Sequence, residues 1–475
     1  MAQLPALIAG QPAATTAEVP VEDPSTGEVI AVTADSGPPE IDASVAAAAA
    51  ASRSWRLVAV PERARLLRRL SALIQRDLDQ LGELESRQTG KPLRQGRRDA
   101  EITVRYFDFY ASAVETLYGS AFALDENTTV QTSWAPHGVT AHVIPWNYPL
   151  QILGRSVAPA LAMGNCAVLK PAEEAPLTAL KIAELAIEAG FPPGALNVVP
   201  GYGESAGAAL TRHPGVGHIS FTGSVEVGRL ISHAAADNLI PVTMELGGKS
   251  PNIVFADADL DRAVPVIVNS ILQNAGQTCS AGSRLLVQES VHDAVVKRIA
   301  EIFAGVDIGP ALDDPTLGPL ISGPQRDRVS SFLSAAGRGG RVTQGGEPLS
   351  GGRYGNGYFF QPTLVDDVGA GSLIFREEVF GPVLAVTSFA TADEAVALAN
   401  ATDYGLIAGV WTSNIGTAQR MIRDVVSGQV FVNTYGASGG VELPFGGFKR
   451  SGFGREKGAA GLLGFAQVKT AVIAA

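Results

Sequence analysis

Short apolar strands alternate with helical segments between Cys166 and His233, and this alternation restricts the possible folds more than any other feature of the chain. Parallel strands need a crossover connection, which a helix usually supplies. The pattern therefore predicts a parallel, doubly wound sheet of the α/β class. The predicted strands are residues 166–169, 196–199 and 218–221, and the predicted helices are residues 177–188, 204–210 and 224–233.

A second alternating region begins after Lys249 and predicts a second α/β unit. The chain has 475 residues, more than one ordinary domain holds, so two or three domains are expected. In this region strands are predicted at residues 253–255, 285–287 and 383–387, and helices at residues 260–272, 291–303, 392–400 and 418–425.

The other segments are predicted from local patterns. Residues 21–32 are predicted to form a hairpin, and residues 128–143 an exposed antiparallel pair of strands. The Gly-rich residues 337–357 are predicted to be a connecting loop. Helical periodicity covers residues 42–56, 61–81 and 99–117.

Composition excludes several classes of protein. The net charge of −11 argues against binding to nucleic acid or to an anionic membrane surface. No run approaches the roughly 18 apolar residues of a membrane span, and Met1–Gly10 lacks the pattern of a signal peptide. Two cysteines cannot build a disulfide framework, which favours a reducing compartment. We therefore expect a cytoplasmic protein.

Cys279 is one of the two cysteines and lies among small and polar residues in the segment Gln273–Arg284. Such neighbours leave a thiol reachable and leave backbone N–H groups free to bind a reacting atom. The thiolate is strongly nucleophilic, although only a small fraction of an ordinary thiol is ionised at neutral pH. The alternative is a buried structural cysteine, because free cysteine is among the most buried residue types.

Asn147 and Glu245 are candidates for the groups that assist such a nucleophile. Asn147 lies between a strand and a helix, where its amide could donate to a developing oxyanion, although it could instead cap the helix that starts near Pro149. Glu245 ends an apolar strand, and partly apolar surroundings raise the pKa of a carboxyl group toward that of a useful general base. Its alternative is an ion-paired Glu at a strand end.

Three short segments could bind a dinucleotide. Lys170 and Glu173 follow a strand directly and could hold ribose hydroxyls, or could be two solvated charges. Gly223 and Ser224 open a helix whose N-terminus could receive a phosphate, although Ser224 also suits a plain N-cap. The glycines of residues 201–207 miss the dinucleotide-binding spacing and are a weak signal.

The six histidines show no metal-ligand spacing, and none lies beside Cys279 in the sequence. We therefore predict no metal site. A Cys–His hydrolase would require a tertiary contact that the sequence does not reveal.

Taken together, these motifs resemble the aldehyde dehydrogenase family over nearly the whole chain, and they occur in that family's order. Several ordered matches are far more specific than any single one. The matching segments are residues 145–149, 170–173, 221–224, 245–249, 276–279, 377–382 and 444–449.

The resemblance implies an aldehyde dehydrogenase fold with three parts. A Rossmann-like cofactor domain would comprise residues 1–117 and 137–248, and an α/β catalytic domain residues 249–448. A small oligomerisation arm would combine the strands of residues 118–136 with the tail 449–475. A homodimer or homotetramer would be expected.

The resemblance also implies a mechanism. Cys279 would attack the aldehyde carbon, Asn147 and the Cys279 N–H would hold the oxyanion, and Glu245 would activate water to hydrolyse the thioester. The residues implied to contact the dinucleotide are Ile144, Trp146, Lys170, Glu173, Gly223, Ser224, Leu246, Glu378 and Phe380. Glu173 would repel a 2′-phosphate, so NAD is expected over NADP. Glu245 favours hydrolysis over transfer to coenzyme A.

The sequence is compatible with two classes of aldehyde substrate. Gln151 and Arg155 follow Asn147 at intervals of four, so Arg155 could face the aldehyde channel and meet a carboxylate; alternatively it could pair at a subunit interface. The residues expected to line the rest of the channel are Tyr148, Ile152, Thr278, Ser280 and Tyr435. A carboxylated semialdehyde and a broad aliphatic or aromatic aldehyde are both compatible.

Two rival classes are a Cys-dependent hydrolase or acyltransferase, which needs no nicotinamide, and a non-catalytic binding homologue. The second would be expected to have lost Cys279, Asn147 or Glu245, and all three are present.

Overall fold

The computed structural model describes residues 2–334, 339–436 and 440–474, and two large sheets organise them. The first sheet has eight strands, of which the five central ones are parallel. This confirms the predicted doubly wound sheet. From edge to edge its strands are Gly452–Phe453, Val242–Glu245, His218–Thr222, Val139–Val143, Cys166–Lys170, Leu196–Val198, Ala6–Ile8 and Gln11–Ala13.

The strand order of the first sheet reverses beside Val139–Val143. The next two parallel strands of the chain lie on one side of this strand, and the following two lie on the other. Such a switch point opens a crevice at the carboxyl edge of a doubly wound sheet, and ligands bind there. The segments that leave this edge carry Trp146 and Asn147 from one strand and Gly223 and Ser224 from its neighbour.

The second sheet has seven strands, and only its first edge pair is antiparallel. Its strands, in spatial order, are Arg341–Gln344, Thr363–Asp366, Val383–Phe389, Arg284–Gln288, Pro251–Val254, Ile407–Trp411 and Gln429–Val432. Glu245–Ser250 connects the two sheets. The Cys279 loop immediately precedes the strand Arg284–Gln288, and therefore lies at the amino edge of the second sheet.

Helices flank both sheets. Those of the first unit are Pro38–Trp55, Val60–Arg76, Leu78–Thr89, Leu93–Val114, Pro149–Ala162, Leu177–Ala189, Ala208–Arg212 and Val225–Asn238. Those of the second are Leu260–Leu272, His292–Ala304, Gly323–Ser334, Leu373–Arg376, Ala392–Asn400 and Ile415–Asp424, and Ala460–Leu463 follows near the C-terminal strand. No helix of the described residues is long and apolar enough to cross a membrane.

The helix Leu260–Leu272, which leads into the Cys279 loop, illustrates how sequence produces these elements. The Asp259 side chain caps it by accepting from the N–H groups of Asp261 and Arg262. Its buried side chains recur at intervals of three and four, which is the spacing of one helical face. They are Ala263, Val264, Ile267, Val268, Ile271 and Leu272, together with Ser270.

Smaller sheets complete the fold. The predicted N-terminal hairpin is confirmed: Glu18–Asp23 pairs antiparallel with Glu28–Ala34, which also pairs with Gln3–Leu4. A three-stranded antiparallel sheet, the arm sheet, joins Ala121–Asp125, Thr128–Pro136 and Ala466–Ala474. Two further pairs join Pro348–Leu349 to Phe359–Phe360 and Tyr404–Gly405 to Phe448–Lys449.

Three local predictions were wrong. Residues 61–81 belong to two helices, one ending before Asp77 and the other beginning after it. A single helix was predicted because the apolar spacing continues across this break. Residues 128–143 are not an antiparallel pair: Val139–Val143 is a parallel strand buried in the first sheet. The predicted loop 337–357 contains the strands Arg341–Gln344 and Pro348–Leu349, and its residues 337–338 lie outside the described residues.

Candidate active site

A strained turn presents Cys279. Three consecutive residues, Asn274, Ala275 and Gly276, have left-handed backbone angles with φ of +49°, +54° and +72°. Such angles are costly for non-glycine residues and cluster at functional sites. A Cβ on Gly276 would lie 2.1 Å from the Gly381 carbonyl oxygen, so only glycine fits there. The chain then makes a tight turn in which the Ala281 N–H donates to the Thr278 carbonyl at 3.0 Å.

Cys279 is half-buried, and it packs against the apolar cluster Leu406, Ile407 and Phe445. Burial raises the pKa of its thiol to about 11, while Arg155 opposes that rise and the carboxylates of Glu378 and Glu245 add to it. A nucleophile in this state requires a base or a nearby positive charge. Cys166, by contrast, is the structural cysteine: it is wholly buried in a strand, and burial raises its pKa to about 12.

Asn147 reaches the Cys279 loop directly and does not cap the following helix. The N-cap of Pro149–Ala162 is Tyr148, without a side-chain hydrogen bond. The Asn147 Nδ2 donates to the Gln277 carbonyl at 3.0 Å, which fixes the nitrogen end of the amide toward the loop. One of the two Nδ2 hydrogens therefore stays available for an oxyanion formed at Cys279.

Glu245 is buried, with an exposure of 1%. Within the described residues neither carboxylate oxygen has a hydrogen-bond partner, so Glu245 is not the ion-paired strand-end residue of the alternative. Burial raises its pKa well above the ordinary value, the Glu456 carboxylate raises it further, and Arg155 opposes both. An unpartnered carboxylate of this kind can hold and activate a water molecule.

The structure gives Arg155 a partner within the same chain, so its role toward a substrate carboxylate stays a prediction. Its guanidinium forms a buried ion pair with Glu456 of the same chain and donates to the Thr222 hydroxyl at 3.0 Å. It also stacks 5.2 Å from the centroid of the Phe445 ring. The Arg155 charge is therefore paired with Glu456, and it also acts on the pKa values of Cys279 and Glu245.

The predicted dinucleotide contacts cluster along the carboxyl edge of the first sheet. Lys170 is buried at the end of its strand and pairs with Glu173 at 2.9 Å, so the two are not both solvated charges. Ser224 caps the helix Val225–Asn238 by accepting from the Val227 N–H at 3.2 Å, and the Gly223 N–H donates to the Glu245 carbonyl. These bonds leave the phosphate role of Gly223 and Ser224 a prediction.

Five further predicted contacts lie beside the sheet connection or the strand end. Trp146 meets Phe380 edge to face, with ring centroids 5.3 Å apart, and Phe380 has a strained φ of +60°. The Glu378 carboxylate accepts from the Gly248 N–H at 3.0 Å, and burial raises its pKa to about 7. Ile144 and Leu246 are buried.

Most of the predicted channel residues surround Cys279. Thr278 and Ser280 share a hydroxyl contact of 3.1 Å, and the Tyr435 hydroxyl donates to the Ser280 carbonyl at 2.8 Å. The Cys279 charge acts on the phenol of Tyr148 and helps to raise its pKa, after burial and Asp99. Ile152, however, is buried in the core of the first sheet.

Several residues of the site were missed by sequence reasoning. Glu456 and Lys457 lie beyond the recognised motifs, yet both act on the pKa of Glu245, and Lys457 also acts on the pKa of Cys279. Lys91 and Asn274 both donate to the Asn147 carbonyl, each at 2.9 Å. Arg284, left unexplained by the sequence, is structural: it is buried and donates to the carbonyls of Lys249, Leu398 and Ala399, at the end of the helix Ala392–Asn400.

The histidines do not form a hydrolase dyad in the described part of the chain. The charged side chains with the largest effect on the Cys279 thiol are Arg155, Glu378, Glu245 and Lys457. His137 and His218 stack on each other, with ring centroids 5.1 Å apart, and His218 also meets Phe465. A Cys–His mechanism therefore has no support in the geometry.

Known proteins share this fold. Residues 11–471 match the sequence profile of the aldehyde dehydrogenase family. A presumed aldehyde dehydrogenase from Burkholderia cenocepacia superposes with a TM-score of 0.97 at 50% identity, over 99% of both chains. PnpE from Pseudomonas sp. WBC-3, bound to nicotinamide adenine dinucleotide, gives 0.97 at 37%, over 100% of this chain and 98% of that one. A mutant of the P. syringae indole-3-acetaldehyde dehydrogenase AldA, bound to NAD+ and IAA, gives 0.96 at 36%, over 99% and 97%.

Proposed function

The chain belongs to the aldehyde dehydrogenase family, and we propose that it oxidises an aldehyde to its carboxylic acid with NAD. One set of contacts supports the assignment of roles: the Asn147 amide bonds to the loop that carries Cys279, and the unpartnered Glu245 carboxylate acts on the pKa of the Cys279 thiol. In the proposed reaction the Cys279 thiol gives its proton to solvent as its sulfur bonds to the aldehyde carbon, and the Asn147 amide and the Cys279 N–H stabilise the oxyanion.

The residues at the carboxyl edge fit a dinucleotide. A buried Lys170 paired with Glu173, the helix N-terminus at Ser224 and the Trp146–Phe380 edge stand around the switch point. NAD, when bound, accepts the hydride that the former aldehyde carbon loses. The thioester on Cys279 is then hydrolysed by a water that Glu245 deprotonates, which releases the acid and restores the thiol.

We assign residues 1–117 and 137–248 to the NAD-binding domain, residues 249–448 to the catalytic domain, and the arm sheet with the tail to oligomerisation. The two large sheets support this division, although the strand Gly452–Phe453 of the tail lies at the edge of the first sheet. The exposed apolar side chains of the arm sheet support a homodimer or homotetramer: Phe122, Leu124, Val468, Val472 and Ile473. Both cysteines are unpaired, in keeping with the cytoplasm.

An uncharged aromatic or aliphatic aldehyde is the substrate class that the site favours. Glu456 neutralises Arg155, and the side chains packed around Cys279 are apolar or aromatic, among them Phe445, Phe431 and Tyr435. We expect NADH formation, followed by absorbance, with kcat/KM at least about tenfold higher for benzaldehyde than for succinic semialdehyde. Absence of NADH with every aldehyde of a broad panel would exclude the function itself.

A carboxylated aldehyde is the second candidate for the substrate, because the Lys457 ammonium could bind its carboxylate. This ammonium lies 4.9 Å from the centroid of the Phe445 ring, and burial lowers its pKa to about 8, so most of it is charged at neutral pH. If a carboxylate is recognised there, Lys457→Met lowers kcat/KM for succinic semialdehyde and leaves that for benzaldehyde within about twofold. Equal effects on both aldehydes would remove this candidate.

The carboxylate of Glu173 is expected to select NAD over NADP. A 2′-phosphate placed beside it would meet like charge, whereas removal of the carboxylate would free Lys170 to bind the phosphate. We expect a kcat/KM ratio of NAD to NADP of at least about 10 in the wild type, and a fall of about tenfold or more in Glu173→Gln. Glu174→Gln, which changes the adjacent residue, is the control and should keep the ratio. A wild-type preference for NADP would contradict the prediction.

A further inference from the structure

A buried lysine holds the backbone of the proposed oxyanion residue. The side chain of Lys91 has an exposure of 0%, and its ammonium donates to the Asn147 carbonyl at 2.9 Å. The same ammonium is paired with Asp99, lies 3.6 Å from Glu85 and sits 4.3 Å from the centroid of the Tyr148 ring. A buried ammonium is tolerated only with such partners, and one of them here is the main chain of the active-site loop.

The two carboxylates around Lys91 accept hydrogen bonds from the residues that follow Asn147. Glu85 accepts from the Leu150 N–H at 3.3 Å, in the first turn of a helix that has no side-chain cap of its own. Asp99 accepts from the Gln151 amide at 2.6 Å. The buried network therefore contacts residues 147, 150 and 151. Its own charged side chains come from the helices Leu78–Thr89 and Leu93–Val114 and from the turn between them.

The opposite side of the loop is held from the Cys279 segment. Asn274 Nδ2 donates to the Asn147 carbonyl at 2.9 Å and to the Gln277 carbonyl at 3.2 Å, and the latter also receives the Asn147 amide. Lys91 and Asn274 thus bind one carbonyl from two sides. A shift of that carbonyl would turn the Asn147 side chain away from Cys279, and misplacement by about 1 Å is enough to cost 10²-fold in rate.

We propose that Lys91 is a positioning residue for oxyanion stabilisation: through the Asn147 carbonyl it fixes the direction in which the Asn147 amide donates. This inference rests on the proposed function, in which Asn147 stabilises the oxyanion. Lys91 contacts no reacting atom, and its effect passes entirely through Asn147. The role therefore predicts an energetic coupling between the two residues that a general effect on stability does not.

The test is a double-mutant cycle between Lys91→Met and Asn147→Ala. Lys91→Met keeps the aliphatic stem and removes the ammonium, and we expect it to lower kcat by roughly 10- to 100-fold. Asn147→Ala is expected to lower kcat by about 10²–10³-fold. In the Asn147→Ala background, Lys91→Met should change kcat by less than about twofold. The KM for NAD and the rate of Cys279 alkylation by iodoacetamide should stay within about twofold of the wild type.

Thr178→Val is the matched control, because the Thr178 hydroxyl donates to Glu85 at 2.9 Å and, among the described residues, forms no hydrogen bond with the Asn147 loop. It should lower Tm and leave kcat unchanged. The inference is overturned if Lys91→Met keeps wild-type kcat, if its loss is equally large in the Asn147→Ala background, or if Thr178→Val lowers kcat as much. If Lys91→Met does not fold, Lys91→Gln enters the same cycle with the same criteria. A wild-type enzyme that makes NADH and depends on Asn147, but not on Lys91, would refute this inference alone.

Discussion

Cys279→Ala is expected to lower kcat by at least about 10⁴-fold, since removal of the nucleophile removes the covalent route altogether. NADH formation at saturating aldehyde is the measurement. The half-buried position of Cys279 lets alanine replace it without breaking a hydrogen bond, so the circular dichroism spectrum should not change. Iodoacetamide should label the wild type at Cys279 with a rate that rises with pH above neutrality, because burial raises the pKa of this thiol to about 11.

Cys166→Ala is the matched control for that result. Cys166 is the other cysteine, and it lies in the strand Cys166–Lys170 of the first sheet with no exposure to solvent. The substitution should lower Tm through the lost packing while kcat stays within about twofold. Persistent turnover in Cys279→Ala, or loss of turnover in Cys166→Ala alone, would contradict the assignment of the nucleophile.

Glu245→Gln is expected to separate the two halves of the reaction. Acylation of Cys279 should proceed, giving one rapid equivalent of NADH per subunit, whereas steady-state turnover should fall by roughly 10²–10⁴-fold because no base activates the hydrolytic water. The carboxylate oxygens have no hydrogen-bond partners in the described residues, so the substitution breaks no contact and Tm should hold. Rapid-mixing absorbance resolves the burst from the slow phase.

Hydroxylamine supplies the control for this prediction. It is a nucleophile that attacks a thioester without a general base, so it should restore turnover in Glu245→Gln and yield a hydroxamate. In the wild type, burial and Glu456 raise the pKa of Glu245, so hydrolysis should slow as pH falls and the base becomes protonated. Full turnover of Glu245→Gln, or a variant without a burst, would place the base elsewhere.

Local periodicity correctly predicted the elements whose own sequence shows which face is buried. The helices Leu260–Leu272 and Ala392–Asn400 have the predicted bounds, because each has a clear apolar face and an N-cap. The strand Val139–Val143 was misread because Thr140 and His142 suggest a solvated face. In the structure both are buried and contact each other, with Thr140 Oγ1 and His142 Nε2 2.8 Å apart. This burial results from the elements that pack on the sheet, and the sequence of the strand alone does not show it.

The same distinction applies to the proposed site: some of its residues lie in recognisable sequence motifs, and others are identified only by their contacts in the structure. Cys279, Asn147 and Glu245 lie in short distinctive motifs, so resemblance to a family identified them. For Arg155, helical spacing gave the direction of the side chain but not its partner, because Glu456 lies 301 positions further along the chain. Lys91 gave no signal beyond a helix break, since its role depends on contact with a carbonyl 56 residues away.

The edge strand Gly452–Phe453 has a consequence for how the enzyme is made. It pairs antiparallel with Met244 and Glu245, and Glu456 follows it to meet Arg155. During synthesis the first sheet can begin to form when residue 245 has left the ribosome, but the surroundings of Glu245 wait for about 200 more residues. At typical elongation rates that interval is roughly 10–40 s. The nascent chain therefore contains Cys279 well before the surroundings of Glu245 are complete, so we expect catalytic turnover only when translation is almost finished.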